Sequence, residues 1–212
     1  MKAILFDMDG IIAYSEIVNG ESYVQAFREE NYNITIEDFK EHCTGKGSKH
    51  FFEKLKERDP NCPGIEKVRP RKQELFLENV RTELKLRKGI IDFIKKVHGQ
   101  YKLAVVSAAH IDTINSILNQ FNLRENFDLV ISATESKRNK PYPDCYLLAA
   151  EKLNVKPEDC MVLEDSESGV TAGSRAGCYV IALPTKFTKE QDFSNADLVL
   201  DGFEEIDLNI IK

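Results

Sequence analysis

The second half of the chain alternates short apolar runs with amphipathic segments. From Tyr101 onward, the apolar runs have the length of buried strands and lie at residues 103–107, 129–133, 161–163, 179–183 and 198–200. Segments with apolar residues at helical spacing lie between them, at 111–121, 144–153 and 169–176. This alternation is typical of a parallel sheet with helical crossover connections. We therefore predict an α/β fold with a Rossmann-like parallel sheet.

The segment 15–86 has a different pattern. Its apolar residues recur at helical spacing and no strand-like run interrupts them. Two loop signals divide it, Gly45-Lys46-Gly47-Ser48 and Asp59-Pro60-Asn61-Cys62-Pro63-Gly64. These features predict an all-helical domain over residues 15–86, inserted into a core domain of residues 1–14 and 87–212.

The first apolar run ends in two aspartates, in the sequence Ile4-Leu5-Phe6-Asp7-Met8-Asp9-Gly10. Side chains two positions apart in an extended chain point to the same side, so both carboxylates can face one spot. Such a pair of like charges is costly unless a cation or a shared proton offsets it. Taken alone, these residues also fit a plain Asp-Gly turn after a strand.

Polar residues also follow the other predicted strands. Ser107 follows the strand at 103–107, and Glu164 and Asp165 follow the strand at 161–163. Parallel strands bring their carboxyl ends to one edge of a sheet, where ligands bind. The oxygen ligands of Asp7, Asp165 and Glu164 suit Mg²⁺, whereas zinc would favour nitrogen or sulfur.

Two further groups at this edge fit a phosphate. The Ser107 hydroxyl and the backbone N–H of Ala108 precede a predicted helix, whose N-terminus favours anions. Lys140, held in an extended loop by Pro141, could neutralise a phosphate oxygen. The alternatives are that Ser107 caps the helix and that Lys140 is one more surface lysine. Together with the carboxylates, these groups indicate phosphoryl transfer.

Composition narrows the class of protein. The 212 residues carry a net charge of −6, which argues against a nucleic-acid partner. No apolar stretch reaches the roughly 20 residues of a membrane span, and no signal-peptide pattern opens the chain, so we expect a cytoplasmic protein. The five cysteines are widely spaced and form no C-x-x-C pattern. The basic segment 40–88 fits an anionic substrate.

Four motifs occur in the order that characterises the haloacid dehalogenase superfamily, and the chain resembles that family over its whole length. They are Asp7-Met8-Asp9-Gly10, Ser107, Lys140 and Glu164-Asp165-Ser166-Glu167-Ser168-Gly169. The resemblance is to the β-phosphoglucomutase and phosphoglycolate-phosphatase branch. It implies a Rossmann-like catalytic core with a helical cap inserted after the first motif.

The resemblance also implies a role for each motif residue. Asp7 matches the nucleophile that forms an aspartyl-phosphate, and Asp9 matches the residue that protonates the leaving oxygen and then activates water. Mg²⁺ would be held by Asp7, by Asp165 and by the backbone carbonyl of Asp9. Ser107 and Lys140 match the phosphate-holding positions.

Several positions bear on the choice of reaction. Dehalogenases of this kind lack the second aspartate, so Asp9 favours an oxygen leaving group. Tyr14 replaces an aspartate of many relatives and Asn19 replaces a histidine of the mutase branch. The loop Gly45–Lys49 lacks the arginine of that branch, which weakens the mutase interpretation. Its lysines, Lys46 and Lys49, are candidates for substrate specificity, although both could equally be solvated.

These observations predict a cytoplasmic Mg²⁺-dependent phosphatase that acts on a small phosphorylated metabolite of the sugar-phosphate or phosphoglycolate type. We expect no nucleic-acid or membrane partner, and a monomer or weak homodimer. One alternative is a β-phosphoglucomutase-like sugar-phosphate mutase. The other is a non-catalytic module that binds phosphorylated metabolites.

Overall fold

The computed structural model describes residues 1–44, 47–132 and 134–208. The chain forms two compact units: a sheet unit of Met1–Ala13 with Leu86–Lys212, and a helical unit of Tyr14–Lys85. That the sheet unit is a catalytic core and the helical unit a cap remains a prediction.

The sheet unit contains a six-stranded, fully parallel sheet, which confirms the predicted fold class. The order in space is β3-β2-β1-β4-β5-β6. Its strands are β1 Ala3–Phe6, β2 Lys102–Val106, β3 Leu129–Ile131, β4 Cys160–Glu164, β5 Tyr179–Ala182 and β6 Leu198–Val199. The predicted strands agree to within two residues at each end; Ala133, the predicted end of the third strand, lies outside the described residues. The residues of β1 and β4 are all buried, as expected for central strands of a parallel sheet.

The described residues contain eight α-helices. They are α1 Ser15–Glu29, α2 Ile36–His42, α3 Gly47–Arg58, α4 Ile65–Glu83, α5 Ile90–Val97, α6 Ile111–Gln120, α7 Asp144–Lys152 and α8 Glu167–Ala176. Helix α5 was not predicted, although its buried residues Ile90, Phe93, Ile94 and Val97 follow a helical period. Within the described ranges, no helix has the length and apolar character that a bilayer crossing requires.

The helical unit is built around a cluster of buried aromatic rings. Tyr23 and Phe27 of α1 pack against Phe51 of α3 in edge-to-face pairs, with ring centroids 5.3 and 6.2 Å apart. The prediction that Lys49 lies in a loop is wrong, because α3 already begins at Gly47. Gly47 has a φ angle of 83°, which glycine adopts without strain. The glycine therefore serves the entry into a helix, where a loop was predicted. Lys46 lies outside the described residues.

Candidate active site

The carboxyl ends of β1 and β4 meet at the point where the strand order reverses. Phe6 pairs with Leu163, and the Asp7 N–H donates to the Leu163 carbonyl at 3.0 Å. One strand further along, the Ser107 N–H donates to the carbonyl of Ile131 at 3.0 Å. Asp7, Glu164 and Ser107 therefore all lie at the edge of the sheet where parallel α/β folds bind ligands.

Lys140 joins two of these strand ends. Its Nζ donates to Asp7 Oδ1 at 2.5 Å, to Glu164 Oε1 at 2.6 Å and to the Val106 carbonyl at 3.3 Å. Burial of Lys140 opposes its charge, but the carboxylates of Asp7 and Glu164 outweigh that effect and raise the pKa of the ammonium group. The side chain is only 10% exposed, which excludes the alternative of a surface lysine.

Glu164 is fully buried and accepts five hydrogen bonds from protein donors. Its Oε1 accepts from Lys140 and from the Tyr146 hydroxyl at 2.9 Å. Its Oε2 accepts from the Asp165 N–H at 2.9 Å, and from the N–H and hydroxyl of Ser166 at 3.1 and 3.0 Å. Because both oxygens already have donors, this carboxylate is suited to holding the site together.

Three buried acids converge at this edge. Asp7, Glu164 and Asp165 each offer a carboxylate oxygen, and these oxygens lie within 4.8 Å of one another. Burial raises the pKa of Asp7 well above its usual range, Glu164 and Asp9 add to the rise, and Lys140 opposes it. Three acids share the single ammonium of Lys140, and the atoms that they offer are all hard oxygens. The cluster therefore fits a divalent cation such as Mg²⁺.

The remaining motif residues lie in turns. Asp9 is half-buried in a tight turn that follows β1. Ser107 is buried, and its Oγ accepts a hydrogen bond from the Ala109 N–H at 3.0 Å, while Ala108 is exposed. The N-cap residue of α6 is His110, so Ser107 does not cap that helix as the alternative supposed.

Lys49, one of the two predicted specificity residues, lies on the surface, unlike the buried motif residues. Lys49 is 91% exposed along its side chain and forms an ion pair with Glu53 at 4.0 Å within α3. The helical unit also contains a buried lysine that the sequence reasoning missed. Lys72 Nζ lies 5.0 Å from the centre of the Tyr23 ring and 4.7 Å from that of Phe76. Only the presence of lysine among the apolar positions of α4 could have drawn attention to it.

Two residues that shape the acidic cluster were also missed. Tyr146 looks like an ordinary core position in the apolar pattern of α7, yet its hydroxyl contacts Glu164. In the sequence, Gly169 stood out only as the last residue of the fourth motif. A Cβ atom at Gly169 would lie 1.7 Å from Glu164 Oε1, so this glycine leaves the space that the carboxylate occupies. The spacing of Gly169 after Glu164 is the one sequence signal that could have revealed this role.

Several known proteins are similar to this chain over most of its length. CbbY of Cereibacter sphaeroides is 30% identical over 216 aligned residues, covering 97% of this chain and 94% of that protein. The phosphorylated carbohydrates phosphatase of Thermotoga maritima is 30% identical over 181 residues, covering 84% and 82%. The crystal structure of CbbY from Rhodobacter sphaeroides in complex with xylulose-(1,5)bisphosphate has a TM-score of 0.86 at 30% identity, covering 97% of this chain and 96% of that one.

The family model for haloacid dehalogenase-like hydrolases matches residues 1–177, which include all four motifs. The resemblance drawn from Asp7, Ser107, Lys140 and Asp165 is therefore confirmed. By this match and by its likeness to CbbY over nearly the full length of both proteins, the chain belongs to the haloacid dehalogenase-like hydrolase family.

Proposed function

We propose that this protein is a Mg²⁺-dependent phosphatase that hydrolyses a small phosphorylated metabolite of the sugar-phosphate or phosphoglycolate type. The observation that carries the proposal is the ion pair between Lys140 and Asp7 inside the cluster of three acids. The names of its relatives support the substrate class, since one is a phosphorylated carbohydrates phosphatase and another was crystallised with a sugar bisphosphate.

The proposed reaction proceeds in two steps on the sheet unit. A carboxylate oxygen of Asp7 attacks phosphorus, the bond from phosphorus to the leaving oxygen breaks, and Asp9 gives its proton to that oxygen. Water then attacks the phosphorus of the aspartyl-phosphate and gives a proton to Asp9. The bond between phosphorus and the Asp7 oxygen breaks, so phosphate leaves and the Asp7 carboxylate is restored.

Other residues hold the phosphoryl group and balance its charge. Lys140 is already hydrogen-bonded to Asp7, so its ammonium is close to the oxygens that gain charge. The Ser107 hydroxyl and the Ala108 N–H would bind the phosphoryl oxygens. When bound, Mg²⁺ would add positive charge at the same oxygens. Both oxygens of Glu164 already accept hydrogen bonds from protein donors. Asp7, Asp165 and the Asp9 carbonyl are therefore the better candidates for Mg²⁺ ligands.

In this proposal the helical unit selects the substrate. The predicted residues Lys46 and Lys49 would supply positive charge for an anionic metabolite. A cytoplasmic location and a monomer or weak homodimer remain predictions.

The test is Mg²⁺-dependent phosphate release from a panel of xylulose bisphosphate, hexose phosphates, phosphoglycolate and nucleoside monophosphates. We expect Asp7→Asn to lose roughly 10³-fold or more in kcat/KM, because the nucleophile is removed. The matched control is Asp112→Asn, on the exposed face of α6, which should keep full activity. An active Asp7→Asn variant would contradict the nucleophile, and activity that survives a chelator would contradict the metal.

The same panel separates the alternatives. A mutase would convert glucose 1-phosphate only when a sugar bisphosphate is added, with little release of phosphate. A non-catalytic module would bind a metabolite in a thermal-shift assay and turn over none.

A further inference from the structure

A buried guanidinium lies beneath the turn that carries Asp9. Arg87 is 5% exposed, and its Nη1 donates to the carbonyls of Gly10 and Leu183, both at 2.6 Å. Its Nη2 donates to the carbonyls of Pro184 and Asp201 at 3.4 and 3.3 Å. One side chain therefore connects the first motif with the segments that follow β5 and β6.

The turn itself is closed by several backbone hydrogen bonds. The N–H groups of Ile12 and Ala13 donate to the Met8 carbonyl at 2.9 and 3.2 Å, and the Gly10 N–H donates to the Ala13 carbonyl at 2.8 Å. The Arg87 N–H in turn donates to the Ile12 carbonyl at 2.9 Å. Arg87 thus holds this turn both through its backbone and through its side chain.

Only an arginine can make this set of contacts. Its planar guanidinium presents five N–H donors in a fixed fork and keeps its charge, whereas the three donors of a lysine share one nitrogen atom on a flexible stem. The Cζ atom also lies 5.8 Å from the centre of the Phe203 ring, which supports the group from one side. The guanidinium is therefore fixed from several directions, and it fixes the Gly10 carbonyl next to Asp9.

We infer that Arg87 is a positioning residue for proton transfer by Asp9. The inference rests on the proposed function, in which Asp9 protonates the leaving oxygen. Loosening the Gly10 carbonyl would let the Asp9 carboxyl move away from that oxygen, and a small displacement of a catalytic group is costly. The cost should fall on substrates whose leaving group needs the proton.

The test compares leaving groups in wild type, Arg87→Lys and Asp9→Asn. p-Nitrophenyl phosphate has a good leaving group that needs little protonation, whereas alkyl phosphates need a full proton. We expect Arg87→Lys to lose roughly 10- to 100-fold in kcat/KM with alkyl phosphates and less than about 3-fold with p-nitrophenyl phosphate. Asp9→Asn should show the same selectivity with a larger loss.

Arg124→Met is the matched control, since Arg124 also donates to a backbone carbonyl, that of Phe127 at 2.9 Å, but not to the Asp9 turn. It should leave both rates unchanged. An equal loss for all leaving groups in Arg87→Lys, or no loss, would overturn the inference and leave Arg87 with a structural role alone.

If Arg87→Lys does not fold, Phe203→Leu provides the comparison, because it removes the ring beside the guanidinium and leaves Arg87 in place. It also removes the ring contact with Phe93 at 5.2 Å, a loss of packing that should affect all leaving groups equally. A selective loss with alkyl phosphates supports the inference, and a uniform effect overturns it. Different results would contradict the proposed function itself. Wild type would hydrolyse none of the phosphates, or Asp9→Asn would lose activity equally with all of them.

Discussion

Glu164 shows how much of this site depends on a single buried carboxylate. It accepts hydrogen bonds from two side chains distant in the sequence, Lys140 and Tyr146, and from the next two residues, Asp165 and Ser166. An unpaired charge in such a position would be strongly destabilising, so its donors and the space around it are tightly constrained. This constraint leads to two predictions, each for the substitution of a single residue that contacts Glu164.

Gly169→Ala should disable the site, although alanine favours a helix more than glycine by about 1 kcal/mol. The new Cβ would overlap the Glu164 carboxylate, whose Oε1 lies 1.7 Å from its position, and would displace the partner of Lys140. We expect kcat/KM to fall by about 100-fold in steady-state kinetics. Ser174→Ala, at an exposed position of the same helix, is the control and should retain activity. Full activity in Gly169→Ala would show that Glu164 can move without consequence.

Tyr146→Phe removes one donor from Glu164 and keeps the ring. Hydrogen bonds to charged groups contribute about 1.5–3 kcal/mol, so we expect the free energy of unfolding to fall by that amount in urea titrations. Tyr142→Phe is the control, because that residue is 47% exposed and its ring contacts Arg138. Equal stability of Tyr146→Phe and wild type would argue that another donor replaces the hydroxyl.

At the scale of elements, helix α2 depends on its first turn. It is only seven residues long, and its one buried residue is Phe39. A capping box compensates: Thr35 Oγ1 accepts from the Asp38 N–H at 3.1 Å, and Asp38 Oδ2 accepts from the Thr35 N–H at 2.8 Å. A helix this short has little intrinsic stability in water, so its cap carries much of the preference for the helical state.

Thr35→Ala should therefore lower the free energy of unfolding by about 1 kcal/mol, the usual cost of losing such a cap. Urea titration followed by circular dichroism measures the change. Thr82→Ala, near the end of α4, removes a hydroxyl without removing a capping box and should change stability by less. A Thr35→Ala variant as stable as Thr82→Ala would mean that α2 is held by its packing alone.

For the whole molecule, we expect the balance of buried charge to decide how its stability responds to a metal ion. The acids Asp7, Glu164 and Asp165 share one edge of the sheet, and Lys140 contacts two of them. A cation that binds only the folded state stabilises that state by mass action. This response can be measured without any substrate.

Mg²⁺ at about 100 times its Kd should raise the free energy of unfolding by about 2.7 kcal/mol, with a matching rise in Tm by calorimetry. Asp165→Asn should lose most of this response because it removes a candidate ligand, and Asp112→Asn should keep it. A wild-type Tm that does not change with Mg²⁺ would contradict the metal site.

Local patterns were sufficient for much of the architecture. Strands such as β1 and β4 follow from short continuous apolar runs, and the helices of residues 15–86 follow from apolar residues at helical spacing. Both signals depend only on neighbours a few residues apart. Even there, two local signals were misinterpreted or missed. Gly47 begins α3 where a loop was predicted, and α5 fell outside the regular alternation.

By itself, the sequence determined the order of the elements and the residue types at the strand ends, including Asp7, Asp9 and Asp165. Only the tertiary structure decided which of these side chains meet. Lys140 reaches Asp7 across 133 residues of chain, and Arg87 reaches Leu183 across 96. Such contacts depend on the pairing of β1 with β4 and on close packing around buried charges, and neither leaves a periodic trace in the sequence.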